Sequence, residues 1–244
     1  MSLPVFLSDA VSGSMPGAVV LLEGDEGRHA ATVKRIRVGE DVVLTDGAGT
    51  SATCAVVDAS KASLTVRVES VAYADREPPY VTVVQAIPKG DRGELAVEML
   101  TEIDVDRIVP WAASRSVAVW RGDRAARSVA KWRAAARTAA KQARRSWLPE
   151  VTELASTADV LALTGSADLV VVLHESASAP FSALEVAGVS SIVVVVGPEG
   201  GLSDDELEAF SAASVVRLGD SVLRTSTAGV AAVAALLSRT TRWR

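Results

Sequence analysis

The sequence predicts a two-domain chain, a small β-rich domain followed by a larger α/β domain, and three observations carry that prediction. Short strand-type runs separated by turn clusters fill the first 70 or so residues. A charged, doubly proline-broken stretch without periodicity, residues 73–80, follows them. Beyond it, continuous Val/Ile/Leu runs alternate with helical patterns, as strands covered on both faces of a parallel sheet do. The boundary falls in the proline-broken stretch, giving domains 1–74 and 75–244. With 244 residues, 49% of them apolar, the chain has enough apolar surface for two cores, which excludes a disordered protein.

In the first domain the strand runs are 19–22, 41–45, 53–57 and 63–71, with Asp46-Gly47-Ala48-Gly49 as a turn cluster and one helix over 26–36. In the second, strands are predicted at 81–87, 107–111, 168–173, 192–196 and 215–218. Helices are predicted at 93–103, 124–145, 204–213 and 225–238. No internal repeat of 20–50 residues is present. The single cysteine, Cys54, excludes disulfides and a multi-cysteine zinc site and fits a reducing, cytoplasmic location. No cluster of metal-ligand residues stands out, so no metal is predicted. The first ten residues lack a basic stretch followed by an apolar one, so no signal peptide is expected. No uncharged apolar run reaches the roughly eighteen residues of a membrane span, and no membrane partner is expected.

The net charge of −5, from 25 basic and 30 acidic residues, argues as a single number against a polyanionic partner. Its distribution argues otherwise. Residues 115–145 carry ten cations against one acid, Asp123, which makes this block +9 and the remainder −14. On a helix advancing about 100° per residue, Val129, Trp132, Ala125, Ala135, Ala136, Ala139 and Ala143 share one arc. Arg127, Lys131, Arg133, Arg137, Lys141, Arg144 and Arg145 occupy the other half, and Arg124 lies at its edge. A solvated face normally mixes signs, and this one holds almost no acid. The two readings are a solvated face and a surface for a phosphate backbone, to which Trp120 and Trp147 would add stacking. Twenty of the 25 cations are Arg, which suits bidentate phosphate recognition, although genomic base composition produces the same bias.

Two strand-to-helix junctions carry glycine loops. Gly197-Pro198-Glu199-Gly200-Gly201 follows the strand 192–196 and precedes Ser203, an N-cap with Glu206 three residues on in a capping box. Gly219-Asp220-Ser221 follows the strand 215–218, and Arg224 then stands before the hydroxyls of Thr225, Ser226 and Thr227 at a helix start. A third junction, Leu173-His174-Glu175, also ends a strand. Ligands of open α/β sheets gather outside the carboxyl ends of strands, where glycines let them approach the backbone. These loops would form one pocket if their strands are neighbours. The alternatives are a tight turn for the first loop and a helix cap beside a surface Arg for the second. The first loop is neither a dinucleotide fingerprint nor a P-loop.

At these two loops the chain resembles the RsmE family of small-subunit ribosomal RNA methyltransferases, in the SPOUT superfamily. The motifs are Gly197-Pro198-Glu199-Gly200-Gly201-Leu202-Ser203 and Leu218-Gly219-Asp220-Ser221-Val222-Leu223-Arg224-Thr225-Ser226-Thr227-Ala228, in that order. Gln142, Arg145 and Leu148-Pro149-Glu150-Val151 extend the likeness, as do Lys89, Glu102, Ile108-Val109-Pro110 and, near the N-terminus, His29, Val33 and Arg35. The chain departs from the family pattern at Met99, Asp104, Lys141 and Ser226, where the family commonly has a basic residue, Gly, an acid and Glu.

The resemblance implies a PUA-like β-barrel, RNA-binding N-terminal domain and a C-terminal SPOUT-type α/β domain with a trefoil knot, active as a homodimer. It implies methyl transfer from S-adenosylmethionine to N3 of a uridine in the decoding region of 16S ribosomal RNA, within the small subunit. On this reading Leu173, His174, Gly197, Glu199, Gly201 and Thr225 contact the cofactor, with Leu218, Gly219 and Leu223 around its adenine. Arg224 stabilises the uracil anion, and Glu199 is a second candidate, as base. Arg35, Arg124 and the cationic face of the helix bind RNA. The rival readings are a SPOUT methyltransferase acting on another RNA such as tRNA, and a catalytically silent RNA-binding protein of ribosome assembly. A third rival, a nicotinamide-dependent dehydrogenase, is disfavoured because no glycine fingerprint follows the strand 81–87 of this chain.

Overall fold

The computed structural model describes residues 3–243. Its contacts group the chain into two units, one of the residues up to Arg76 together with Ala140–Leu148, the other of Glu77–Ala139 together with the residues from Pro149 onward. Residues 140–148 thus group with the first unit although they follow residue 77 in sequence.

In the first unit a five-stranded sheet is built from β1 (Val5–Leu7), β2 (Val19–Leu22), β3 (Asp41–Thr45), β4 (Thr50–Ala59) and β5 (Leu64–Tyr73), in the order β1-β3-β4-β5-β2. The β1–β3 pair is parallel and the others antiparallel. Alternation decides the buried face: Leu64, Val66 and Val68 of β5 enter the core while Arg67 and Glu69 stay exposed, and Cys54 and Val56 of β4 join them. Burial pushes the Cys54 thiol up to about 11. The helix expected over 26–36 is instead α1 (Gly24–Arg28) followed by a π-helical turn, His29–Val33, and it stops before Arg35, whose φ of +56° is left-handed.

The second unit holds a six-stranded, fully parallel sheet of β6 (Tyr80–Ala86), β7 (Arg107–Trp111), β8 (Glu150–Val151), β9 (Leu169–Leu173), β10 (Ser191–Val196) and β11 (Ser214–Val216), in the order β11-β9-β10-β6-β7-β8. Helices α2 (Arg92–Glu102), α3 (Asp123–Gln142) and α6 (Thr225–Leu237) cover one face, and α4 (Thr157–Thr164) and α5 (Asp204–Ala209) flank the other. Each strand divides its side chains between them. Val81, Val83, Ile192, Val194 and Val196 pack beneath α2 and α6, while Val84, Val193 and Val195 pack with Val160 and Phe210. Gly93 of α2 faces the Trp132 indole of α3, where a Cβ would come within 2.8 Å of the ring, so the close approach of these helices requires glycine.

Asp104 adopts φ +72°. Its carboxylate accepts hydrogen bonds from Arg242 Nε at 3.0 Å and Nη2 at 2.7 Å, which ties the strained turn after α2 to the end of the chain. Among the described residues no helix is long and apolar enough to cross a membrane.

Candidate active site

Because β11, β9 and β10 are adjacent, their carboxyl-end loops converge, and the condition set by the sequence for a single pocket is met. The cavity, about 320 Å³, is lined by all nine residues predicted to hold a cofactor: Leu173 and His174 from β9, Gly197, Glu199 and Gly201 from the β10 loop, and Leu218, Gly219, Leu223 and Thr225 from the β11 loop. Val196, Pro198, Arg217 and Ala228 also line it and were missed, since they sit inside a strand, a turn or a helix rather than in a motif glycine position. Strand β11 ends at Val216, two residues before its predicted end, because Arg217 turns to pair with the backbone of Ala179 and Phe181.

Each loop has a local cause. Gly201 takes φ +72°, a conformation open to glycine. Gly200 lies against the Arg115 backbone, where a Cβ would stand 3.0 Å from the carbonyl oxygen. Ser203 caps α5, and the capping box read from the sequence is present: the Ser203 hydroxyl accepts from the Glu206 N–H and the Glu206 carboxylate from the Ser203 N–H. That carboxylate does more than the sequence indicated. Its Oε1 accepts from the Ser114 N–H at 2.8 Å, and Arg115 Nη1 donates to the Leu202 carbonyl at 2.9 Å. The chain after β7 is thereby latched to the pocket loop through a side chain that is only 4% exposed. Glu206→Ala leaves two N–H groups without their acceptor, and a loss of about 1–3 kcal/mol per unsatisfied buried group is expected. Chemical denaturation should read it as a lowered midpoint at constant m; an unchanged midpoint would show that water serves these donors equally well.

Both candidate catalytic residues are exposed, and they differ in whether their side chains are engaged. Arg224 is the N-cap residue of α6, with extended backbone at φ −69° and ψ 151°, and its carbonyl accepts from the N–H groups of Thr227 and Ala228. Among the described residues no hydrogen bond or ion pair engages its guanidinium, which borders the pocket ready for a ligand. Glu199 is committed: its Oε1 accepts from the Lys89 N–H at 3.1 Å and lies 3.8 Å from Arg92 Nη1. This bridges the β10 loop to the segment after β6. Of the hydroxyls beside Arg224, Thr225 and Ser226 are buried, and Thr227 Oγ1 donates to the Arg224 carbonyl. Below them Gln85, the one amide in the apolar strand β6, donates to the Thr225 carbonyl at 3.3 Å, a contact across 140 residues that no local pattern announces.

The amphipathic reading of α3 is correct at its centre: Val129, Trp132, Ala136 and Ala139 are buried, while Arg124, Arg127, Lys131 and Arg137 are exposed. Four cations depart from it. Arg133 is tied to the Val151 carbonyl at 2.9 Å and to Glu153 at 2.8 Å. Lys141 makes a 2.7 Å ion pair with the largely buried Glu26. The helix ends at Gln142, three residues before its predicted end, and Arg144 turns with φ +56°. Arg145, beyond that turn, is 8% exposed and does not belong to an open cationic face. The expected stacking tryptophans are also occupied, Trp120 edge-on against Trp132 at 5.1 Å and Trp147 against Tyr73, with its indole N–H on the Ala74 carbonyl. Arg35 is exposed.

Among the described residues no group of three or more His, Cys, Asp or Glu is placed to hold a metal. The dimensions and apolar lining of the pocket, from Leu173, Val196, Leu218, Leu223 and Ala228, with backbone groups at the glycine loops, suit a nucleoside-sized ligand.

Comparison with known proteins agrees along the length of the chain. The RNA methyltransferase domain family matches residues 75–237, and the RNA methyltransferase PUA domain family matches residues 22–69. A Mycobacterium bovis protein named ribosomal RNA small subunit methyltransferase E is 45% identical over 93% of this chain and 89% of that protein. Its Bacillus subtilis namesake is 30% identical over 90% of each. Among solved structures, ribosomal RNA small subunit methyltransferase E of Neisseria gonorrhoeae bound to S-adenosylmethionine superposes with TM-score 0.88 at 26% identity, covering 98% of both chains. A Legionella pneumophila methyltransferase with the same bound cofactor gives the same values.

Proposed function

Because the chain belongs to the ribosomal RNA small subunit methyltransferase E family, and so methylates that RNA from S-adenosylmethionine, we propose that its acceptor is N3 of a uridine in the decoding region. The observation that carries this reading is the meeting of three strand-end loops in one pocket bordered by an arginine without a partner among the described residues. The cofactor supplies, when bound, an electrophilic methyl group. The protein's task is then orientation and the handling of a proton, since neutral uracil carries hydrogen on N3.

On this reading Leu173, His174, Gly197, Glu199, Gly201 and Thr225 hold the cofactor, and Leu218, Gly219 and Leu223 surround its adenine. Arg224 stabilises the anion that spreads over N3, O2 and O4 as the proton leaves. Glu199 shapes the pocket loop through its bonds to Lys89 and Arg92, and remains the carboxylate nearest to the role of base. RNA binding falls to the exposed Arg124, Arg127, Lys131 and Arg137, with Arg35 on the PUA-type domain.

The same reading takes residues 1–74 as a PUA-like barrel and 75–244 as a SPOUT-type domain with a trefoil knot. Supporting it are the matched family boundaries and a sheet in which β10 lies between β9 and β6. It includes a homodimer, favoured by the exposed Val222 and Leu223 beside the pocket, and a cytoplasmic site of action on the small subunit. Reverse transcription across the decoding region of small-subunit RNA provides the test. N3 methylation blocks Watson–Crick pairing, so a stop should be present in the wild type, absent on deletion of the gene and restored by this chain. Read-through in all three strains would overturn the proposed acceptor.

A further inference from the structure

Gln85 sits where an apolar side chain would be expected. It lies on β6 among Val81, Val83 and Val84, in register with Val196 of β10, and is 1% exposed. Its amide nitrogen donates to two carbonyls, Ala86 at 3.1 Å and Thr225 at 3.3 Å. Both neighbours are acceptors, which fixes the amide orientation. Its Oε1 has no hydrogen-bond partner among the described residues. Burying an amide with its carbonyl unpaired costs stability that a leucine would not cost. The residue this amide reaches, 140 positions away, is the first of α6, directly after Arg224.

We propose that Gln85 is a positioning residue for methyl transfer: by holding the Thr225 carbonyl on the end of β6 it fixes the N-terminal turn of α6, and through it the place of the Arg224 guanidinium at the pocket. The inference rests on the methyl-transfer reading for its effect on rate. The geometry favours it because Arg224 has extended backbone and no side-chain cap of its own, so its placement depends on what anchors the residue that follows. Thr225 lines the pocket, and Val196, the β10 neighbour of Gln85, lines it as well. The amide thus acts at the joint between the pocket wall and the helix that carries the cation.

The test compares the full-length wild type with Gln85→Leu and Gln85→Glu, using S-adenosylmethionine and small-subunit RNA. Gln85→Leu should keep its melting temperature within about 4 °C and its cofactor Kd within about threefold, because it removes no pocket-lining residue. Its kcat should fall about 10- to 100-fold, the effect of a reacting group displaced by a fraction of a nanometre. Gln85→Glu can donate to Thr225 only when protonated, so its kcat relative to wild type should rise as pH falls through the raised pKa of a buried carboxyl. Wild-type kcat in Gln85→Leu, or a flat Gln85→Glu ratio if the leucine variant does not fold, would overturn the inference and leave the methyl-transfer reading intact. If the wild type itself transfers no methyl to the RNA, that reading fails instead. Hydrogen exchange over the first turn of α6 then decides the anchoring role, faster in the variant supporting it and unchanged overturning it.

Discussion

Arg224→Ala is expected to abolish methylation of small-subunit RNA while cofactor affinity stays within a few-fold of wild type. The proposed nucleophile is a uracil nitrogen whose lone pair becomes available as the proton leaves, so the barrier contains the cost of a developing anion. A guanidinium at the pocket edge, without an ion-pair partner among the described residues, offsets that cost, and removing one such stabilising donor slows reactions by about 10²–10³-fold. Cofactor binding should be spared because the pocket is built mainly from loop backbone and from Leu173, Val196, Leu218 and Leu223. Arg224→Lys should lie between the two, keeping the charge but losing the planar fork that can engage two acceptors. Single-turnover methylation with saturating cofactor, paired with calorimetric titration, separates chemistry from binding. Full activity in the alanine variant would remove Arg224 from the reaction.

The pocket was more legible in the sequence than its supports were. A Gly-rich loop after a Val-rich strand announces a strand-end site by local composition, and Ser203 with Glu206 announces the helix that closes it, because capping and glycine conformation act within a few residues. The strands β2, β3 and β7 fall where their periodicity puts them, while β8 has only two residues and β1 three, too few for any period to register. Helix α4 escaped although Ser156 and Asp159 form a capping box, since its eight residues have little amphipathic contrast. What the sequence could not carry are partners distant along the chain. The Lys141–Glu26 pair spans 115 residues and the Gln85–Thr225 bond 140, and no spacing rule joins them. The helix wheel likewise placed Arg133 and Arg145 on an open face, because a wheel knows nothing of β8 or of the left-handed turn at Arg144.

Those departures sharpen the expectation for RNA. Reversing Arg127, Lys131 and Arg137 together to Glu should weaken binding to small-subunit RNA by about 10- to 1,000-fold near physiological salt, because each cation that neutralises a phosphate releases condensed counterions. The slope of log affinity against log salt should flatten by about 2–3. These three side chains are exposed, on the side of α3 opposite Val129, Trp132 and Ala136, so the thermal midpoint and cofactor titration should stay near wild type. Arg133→Glu provides the contrast. It would set a carboxylate beside Glu153 and the Val151 carbonyl, so it should lower the thermal midpoint while altering the salt slope less than the triple variant. A whole-chain charge of −5 does not attract a polyanion, so a salt slope unchanged by the triple reversal would place the RNA on another surface. If instead the slope flattens while the single-turnover rate at saturating RNA persists, α3 holds the substrate and the pocket loops alone carry the chemistry. That separation follows from the layout of the chain: cations concentrated on one helix of an otherwise acidic protein, and a pocket bordered by Arg224, whose guanidinium has no partner among the described residues.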